Sequence, residues 1–279
     1  MELLNQGTYG CIYKPGITCS AKPQSPKYTT KIHVKNASSR SVSSNEAAIG
    51  ELIRTKIPNY QHYYSPVLET CPVNLAKVAK DDIDQCEFIH KDILTGKPLE
   101  YIASKLKYIE GVTLDEYVEK HPTPEIVEHL HKALMNSVKK LASIGIVHFD
   151  IKENNVIVKN NGTPIIIDFG IAINMNDPDR PMNEIFYAYA PTYEPWCPEI
   201  HIISYYVQHP QIKKVTKAKI MDILENRQDS NSQDYADKYD GKTSAYVIKE
   251  LLKTYKMWDQ YAVEKMMTEV SRKYGIVIK

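Results

Sequence analysis

A hairpin pattern near the middle of the chain constrains the fold more strongly than any other feature. Two apolar runs, at residues 156–158 and 165–167, flank the sequence Asn160-Asn161-Gly162. Asn and Gly tolerate the positive φ that a tight turn between antiparallel strands requires. We therefore predict a buried β-hairpin that brings the loops at 148–155 and 168–170 close together.

These two loops carry the residues best suited to chemistry. The first reads His148-Phe149-Asp150-Ile151-Lys152-Glu153-Asn154-Asn155, and the second reads Asp168-Phe169-Gly170. Carboxylate and amide oxygens are the ligands that Mg²⁺ prefers. A further carboxylate nearby can accept a proton from an attacking hydroxyl. The loops therefore predict a metal site with a general base beside it.

Composition limits the partners that the chain can have. It has 279 residues and a formal net charge of +1, enough for one large domain or two ordinary ones. The balanced charge argues against direct nucleic-acid binding. No apolar run reaches the roughly 18 residues that span a bilayer, so we expect no membrane insertion. The first residues do not resemble a signal peptide, and we expect a cytoplasmic location.

Five cysteines are scattered along the chain without a Cys-x-x-Cys pair. This odd number and irregular spacing are a poor disulfide framework and a poor zinc site. We therefore expect reduced thiols.

The coarse pattern changes from strands to helices along the chain. Strands are predicted on both sides of a glycine turn at residues 3–13, at residues 28–34, and two or three times within residues 67–106. One helix, capped by Ser44 or Asn45, ends at Pro58, and another covers residues 123–144. We predict an α+β protein with a small β-rich lobe followed by a larger helical lobe.

The order His148-x-Asp150-x-Lys152-x-x-Asn155, followed by Asp168-Phe169-Gly170, resembles the catalytic core of eukaryotic-type protein kinases. The resemblance implies a two-lobed protein-kinase-like fold that is shortened at the C-terminus. The N-lobe would cover about residues 1–106, the hinge about 107–111 and the C-lobe about 112–279. The resemblance also implies an insertion at about residues 200–257.

The resemblance also assigns roles to the loop residues. Asp150 and Lys152 are the catalytic residues: Asp150 takes the proton of the acceptor hydroxyl, and Lys152 lies near the transferred γ-phosphate of ATP. Asn155 and Asp168 ligate Mg²⁺ at the nucleotide phosphates. His148 is expected to hold the loop.

The sequence Gln6-Gly7-Thr8-Tyr9-Gly10-Cys11-Ile12 is similar to the glycine-rich nucleotide loop of that family. Gly7, Thr8, Gly10 and Ile12 are expected to bind the nucleotide. Asn5 stands where the family has its first glycine, and we place it in the same binding set.

Two pairs of residues compete for the lysine–glutamate ion pair of the family. Lys31 and Lys35 are both candidates for the strand lysine, and we favour Lys31. Glu46 and Glu51 are candidates for the helix partner. Glu46 shares the apolar face of its helix, and an inward carboxylate requires a cation, so we choose Glu46.

Three further segments follow the family order. Leu106 to Gly111 resembles the hinge, in which the backbone groups of Lys107 and Ile109 would bind adenine. Trp196-Cys197-Pro198-Glu199 resembles the end of the activation segment, and Arg272 is a candidate partner for Glu199. Asp259 resembles the residue that anchors the catalytic loop, although it follows Glu199 by about 60 residues.

The resemblance implies an ATP- and Mg²⁺-dependent kinase of protein substrates, and Lys152 favours Ser/Thr acceptors. The alternatives are a pseudokinase that binds nucleotide and partners without catalysis, and a small-molecule phosphotransferase. Phe149 replaces the arginine that usually receives an activation-loop phosphate, so we expect no such switch. The segments Gly7 to Pro15 and Trp258 to Tyr261 resemble divergent short kinases of large double-stranded DNA viruses. If the chain is viral, its location is the host cytoplasm or the virion.

Overall fold

The computed structural model describes residues 1–7, 10–34, 37–177, 180–225 and 231–276, with only the backbone at 34 and 37–41. The chain divides into two compact units. Unit 1 comprises Met1–Val112 and Ile157–Ala172, and unit 2 comprises Thr113–Val156 and Ile173–Lys279. A β-rich N-terminal region and a helical remainder make the chain an α+β protein.

The strands and helices have the following bounds. The strands are β1 (Glu2–Gly7), β2 (Gly10–Lys14), β3 (Tyr28–Val34), β4 (Glu69–Asn74), β5 (Glu100–Lys107), β6 (Gly111–Thr113), β7 (Ile146–Val147), β8 (Val156–Lys159), β9 (Pro164–Ile166) and β10 (Ile173–Asn174). The helices are α1 (Ala37–Lys56), α2 (Glu87–Leu94), α3 (Leu114–Lys120), α4 (Pro124–Ser143), α5 (Met182–Ile185), α6 (Pro198–Gln208), α7 (Lys217–Ile223), α8 (Ser232–Tyr239), α9 (Ser244–Leu252) and α10 (Trp258–Lys273).

Unit 1 is built on an antiparallel sheet with the strand order β1-β2-β3-β5-β4. Its middle strand, β3, has the predicted bounds and pairs Lys31 with Ile12 of β2 and with Ser104 of β5. Both neighbours of β3 are therefore strands, and residues 29–33 are buried on both faces of the sheet. This position fixes the base of the Lys31 side chain within the core of the unit.

Helix α1 is longer than the sequence predicts. It begins at Ala37 and includes Ser44 and Asn45, so the prediction that one of these residues caps the helix is wrong. Ile49 and Ile53 on its apolar face are fully buried. Packing of this face stabilises the second half of the helix, and the weak helix propensity of the serine-rich start did not predict the first half. Helix α2 was not predicted.

The predicted hairpin is present in unit 1. Strands β8 and β9 pair on either side of the Asn-Gly turn, where Gly162 has φ 82°, and β6 adds a third strand beside β8. A parallel bridge between Tyr64 and Ile166 joins the hairpin to the segment after α1.

Two disulfides in unit 1 show that the prediction of reduced thiols is wrong for four of the five cysteines. Cys11 on β2 bonds Cys86, just before α2, and Cys19 bonds Cys71 on β4. The partners are 75 and 52 residues apart in sequence, so no local spacing reveals them. Cys197 is a free, buried thiol.

Unit 2 is mostly helical and includes the loop at residues 148–155. Helix α4 matches its prediction, because Thr123 caps its first turn by accepting a hydrogen bond from the Ile126 N–H, and Pro124 occupies the first position. Helix α10 packs against α4. The region predicted as an insertion contains α6 to α9 and a short 3₁₀ turn at Tyr255–Met257. Among the residues with defined positions, no helix is long and apolar enough to cross a membrane.

Candidate active site

A buried lysine joins two carboxylates in unit 1. Lys31 Nζ on β3 donates to Asp168 Oδ1 at 2.9 Å and lies 3.5 Å from Glu46 Oε2 on α1. The Glu46 side chain is 1% exposed, whereas that of Asp168 is 44% exposed. The strand, the helix and the turn after β9 thus each contribute one charged group.

Burial affects both members of the Lys31–Glu46 pair. Burial raises the pKa of Glu46, and Lys31 only partly opposes this effect. Burial also disfavours the charged form of Lys31, but the carboxylates of Glu46 and Asp168 outweigh it and raise the pKa of Lys31. Glu46 makes the larger Coulombic contribution and Asp168 the smaller, so the two carboxylates together secure the positive charge of Lys31.

The other two candidates for the lysine–glutamate ion pair were Glu51 and Lys35. Glu51 is 62% exposed and accepts a hydrogen bond from Arg54 on the same helix. Lys35 is one of the residues that the structure does not describe. Lys31 and Glu46, which we favoured from the sequence, are therefore the residues that the structure brings together.

Asn45 was missed by the sequence analysis except as a possible helix cap. From inside α1 its side-chain amide donates to the backbone carbonyls of Gly170 at 3.3 Å and Ala172 at 2.9 Å. Asp168, two residues before Gly170, has a left-handed backbone with φ 61°. Such strained non-glycine residues persist where the surroundings hold them, and Asn45 is part of that support.

In unit 2, Asp150 is the centre of a hydrogen-bonded cluster. Lys152 Nζ contacts both of its carboxylate oxygens, at 3.1 and 2.9 Å. Asn155 Nδ2 donates to Asp150 Oδ2 and to the Asp150 backbone carbonyl, both at 2.8 Å. The three residues that the sequence placed in one loop therefore form one constellation around a carboxylate.

The backbone of this loop is held by a buried carboxylate on α10. Asp259 accepts hydrogen bonds from the backbone N–H groups of His148 at 2.6 Å and Phe149 at 3.0 Å. Burial raises the pKa of Asp259, and His148 with these two N–H groups opposes the shift. The anchoring contact expected from the family resemblance is present, despite the long separation in sequence.

Phe149, at the position of the family arginine, is a core residue. Its ring centroid lies 4.8 Å from that of Trp196, and its carbonyl accepts a hydrogen bond from Trp196 Nε1 at 2.9 Å. Its φ is 70°. An aromatic side chain at this position packs against the activation-segment tryptophan instead of presenting a charge.

The contact proposed for Glu199 is wrong. Arg272 pairs with Glu269 one turn away on α10, and Glu199 Oε1 accepts a hydrogen bond from the Tyr235 hydroxyl at 2.6 Å. Tyr235 belongs to α8, within the region predicted as an insertion. Arg272 is mostly exposed near the end of α10, so the helix turn supplies its nearest acid.

The predicted nucleotide loop is an edge hairpin of the unit 1 sheet. Asn5 pairs with Ile12, and Gly7 pairs with Gly10 where β1 meets β2. A Cβ on Gly10 would lie 2.3 Å from the Ile32 carbonyl, whereas one on Gly7 meets nothing within 4 Å. The close approach of β2 to β3 therefore requires glycine at position 10, whereas position 7 has room for a side chain. Thr8 lies outside the described residues.

The predicted hinge follows β5. Lys107 ends the strand, and its carbonyl accepts a hydrogen bond from the Ser65 hydroxyl at 3.2 Å. Ile109, two residues later, is half-buried. Both line a cavity of about 350 Å³ in unit 1, together with Tyr28, Tyr64 and Leu68. The structure thus places both residues beside a space lined by aromatic, apolar and polar side chains.

Each loop, taken by itself, offers an oxygen donor of the kind that Mg²⁺ prefers. Both amide hydrogens of Asn155 are used by Asp150, which leaves the Asn155 amide oxygen as a metal ligand. The Asp168 carboxylate is partly exposed. One carboxylate or two, completed by nucleotide oxygens and water, is the usual Mg²⁺ environment in kinases. Within the described ranges, no group of three His, Cys, Asp or Glu side chains forms a metal site on its own.

Tyr193 makes a contact with Asp150 that the sequence analysis also missed. Its hydroxyl donates to Asp150 Oδ1 at 2.5 Å. The residue lies three positions before Trp196 in the activation segment, and its position there is the only sequence signal that we recognise.

Comparisons with known proteins agree with the fold and the order of motifs. Residues 90–215 match the family described as Protein kinase domain. A PAS domain-containing serine/threonine-protein kinase of Mus musculus is 30% identical over 98 residues, which are 34% of this chain and 7% of that protein. A probable serine/threonine-protein kinase of Lactococcus lactis is 25% identical over 111 residues, 37% of this chain and 18% of its own length.

A longer match extends over more of the chain. A serine/threonine-protein kinase of Arabidopsis thaliana is 21% identical over 189 residues, 65% of this chain and 46% of that protein. The chain thus spans less than half the length of each of these three relatives. Residues 90–215 are less than half of the chain, and over them the chain resembles a protein kinase domain, with serine/threonine-protein kinases among the similar proteins.

Proposed function

We propose that this chain is an active protein kinase that transfers the γ-phosphate of ATP to serine or threonine hydroxyls of protein substrates. The observation that carries the proposal is the Asp150 carboxylate, which Lys152 and Asn155 contact within a loop anchored by Asp259. A fixed carboxylate of this kind accepts the proton of an incoming hydroxyl, and a lysine beside it offsets charge on the transferred phosphoryl group.

The phosphate-binding part of the proposal rests on unit 1. Lys31, kept charged by Asp168 and Glu46, is our proposed ligand of the nucleotide phosphates. Asp168 and Asn155 are our proposed Mg²⁺ ligands. The bound ion would neutralise phosphate charge and polarise the terminal phosphoryl group. The adenine is proposed to bind at the backbone of Lys107 and Ile109, and the glycine hairpin from Asn5 to Ile12 would cover the phosphates.

The test is phosphate transfer from γ-³²P-ATP with Mg²⁺ or Mn²⁺, using casein, myelin basic protein and the chain itself as acceptors. Asp150→Asn should lower kcat by about 10²–10⁴-fold, while ATP binding measured by calorimetry remains. Asp234→Asn, on the exposed start of α8, is the matched control and should keep full activity. An Asp150→Asn variant with normal kcat would show that the base is misassigned.

The same experiment separates the alternatives. Thermal stabilisation by ATP with Mg²⁺, but no transfer to any acceptor, would identify a nucleotide-binding pseudokinase. Transfer to aminoglycosides or choline, but not to proteins, would identify a small-molecule phosphotransferase. Phosphoamino acid analysis of the labelled acceptor decides between Ser/Thr and Tyr as the target.

The origin and location of the chain also remain proposals. We propose a kinase of a large double-stranded DNA virus, located in the host cytoplasm or the virion, on the motif resemblance alone. The two disulfides argue against a location in the reducing cytoplasm. Such bonds persist in oxidising surroundings and are rare in the cytosol. Alkylation of free thiols in chain isolated from its native source, followed by mass spectrometry, tests this point.

A further inference from the structure

The Asp150 carboxylate is saturated by groups of the chain itself. Oδ1 accepts from the Tyr193 hydroxyl at 2.5 Å and from Lys152 Nζ at 3.1 Å. Oδ2 accepts from Lys152 Nζ at 2.9 Å and from Asn155 Nδ2 at 2.8 Å. A carboxylate offers about four lone-pair sites, so these four contacts leave no place for the hydroxyl of a substrate.

Of the three donors, Tyr193 is the one that an acceptor hydroxyl can replace. Asn155 is also tied to the Asp150 backbone carbonyl, and Lys152 contacts both carboxylate oxygens. Tyr193 makes one side-chain bond, from its hydroxyl to Oδ1. An incoming hydroxyl would exchange one O–H···O bond for another of the same kind.

The phenol is held in a protonated, donating form. Burial, followed by the negative charge of Asp150, raises the pKa of Tyr193 well above its usual value. The hydroxyl therefore keeps its proton at neutral pH and occupies the carboxylate as a neutral donor, the role that a serine or threonine hydroxyl would take.

The surroundings of Tyr193 allow the side chain to move without moving the segment. Its ring lies edge-on to Trp196, with ring centroids 5.2 Å apart. Trp196 is anchored independently, through its indole N–H, to the Phe149 carbonyl. The neighbouring Thr192 and Glu194 are exposed. A rotation of Tyr193 about its own side-chain bonds thus leads toward solvent and leaves the anchor in place.

We propose that Tyr193 is a gate on the acceptor position: its hydroxyl occupies the place on Asp150 that a substrate hydroxyl must take, and it leaves before phosphate is transferred. This inference rests on the proposed kinase function. It makes Tyr193 a residue that competes with the acceptor hydroxyl and does not compete with ATP.

The test compares wild-type chain with Tyr193→Phe, which keeps the ring beside Trp196 and removes the hydroxyl. With casein as the acceptor, kcat/KM for casein should rise about tenfold, the equivalent of one net hydrogen bond, while KM for ATP stays the same. Tyr189→Phe is the matched control, because Tyr189 lies on the same segment but packs against Tyr205. It should leave both constants unchanged.

The outcomes separate the gate from the function on which it rests. If wild-type chain transfers phosphate and Tyr193→Phe is equally fast or slower, the gate is wrong and the phenol instead supports Asp150 or has no role. If neither protein transfers phosphate although both bind ATP, the kinase proposal fails and the gate fails with it. Activity that appears only in Tyr193→Phe supports both. Thermal unfolding of each variant verifies that it is folded.

Discussion

The two charged clusters differ in how they hold their carboxylates. In unit 1, Glu46 and Lys31 are buried and paired, with side chains 1% and 9% exposed. In unit 2, Asp150 and Lys152 are 18% and 38% exposed, and neutral donors complete the contacts of the carboxylate. Buried charges depend strongly on their partners, whereas exposed pairs contribute little to stability. The unit 1 cluster therefore links the proposed phosphate site to folding, and the unit 2 cluster can lose a charge without unfolding.

The largest expected effect tests this difference directly. Lys31→Met leaves the buried carboxyl of Glu46 without its cation and should lower the free energy of unfolding by about 3–5 kcal/mol. Lys152→Met is the matched control in unit 2 and should change it by less than about 1 kcal/mol. Urea unfolding followed by circular dichroism measures both values.

A double variant sharpens the result. Lys31→Met combined with Glu46→Gln should recover much of the lost stability, because it removes the unpaired buried charge, yet ATP binding should stay weak. Equal losses in Lys31→Met and Lys152→Met would show that the two clusters do not differ as proposed.

Disulfides provide a second contrast between the units. Both disulfides lie in unit 1. Removing Cys11–Cys86 by changing both cysteines to alanine should lower the free energy of unfolding by about 2–4 kcal/mol, because the bridge closes a long loop. Hydrogen exchange should accelerate in peptides from β2 and α2 but not in those from α4. Dithiothreitol should reproduce this pattern in wild-type chain.

The control is a variant with alanine at all four bridged cysteines, which dithiothreitol should leave unchanged. If reduction of wild-type chain accelerates exchange equally in both units, the bridges do not act on unit 1 selectively.

A smaller effect is expected from Asn45, which ties α1 to the turn that carries Asp168. Asn45→Ala removes the hydrogen bonds to the Gly170 and Ala172 carbonyls. It should lower the free energy of unfolding, measured by urea unfolding, by about 1–2 kcal/mol. Asn176 is the counterpart in unit 2: its amide donates to the Ile144 carbonyl at 3.0 Å from an exposed position. Asn176→Ala should lower the free energy of unfolding by less than about 0.5 kcal/mol. If Asn176→Ala lowers it more than Asn45→Ala does, the proposed difference between the two units is wrong.

The same examples show which parts of the molecule the sequence predicts. Strand β3, helix α4 and the β8–β9 hairpin were predicted nearly to the residue, because their apolar spacing and turn residues are local signals. The Asp150, Lys152 and Asn155 cluster was also anticipated, since one short loop contains all three. The disulfides and the contacts of Asn45, Tyr193 and Glu199 join segments distant along the chain, and no local pattern encodes them. The early start of α1 also has no local signal, because the serine-rich sequence there has weak helix propensity.

The last prediction concerns the pH dependence of stability, and it compares one buried carboxyl from each unit. Burial raises the folded-state pKa of Glu46 above 4.5 and that of Asp259 above 3.8. Between the unfolded and folded pKa values, the folded chain binds more protons than the unfolded chain. The free energy of unfolding therefore falls as the pH rises through that window, by at most about 1.4 kcal/mol per pH unit for each group.

Glu46→Gln and Asp259→Asn should each flatten this fall, which urea unfolding between pH 4.5 and 7.5 measures. The two groups differ in what opposes their burial: a lysine for Glu46, and His148 with two backbone N–H groups for Asp259. Adding Lys31→Met should therefore extend the fall in stability to higher pH in chain that retains Glu46, because the cation that favours its ionised form is gone. It should not change the additional slope that Asp259 contributes. If Lys31→Met alters the Asp259 contribution as much as that of Glu46, the two clusters are electrostatically coupled and cannot be treated as separate sites.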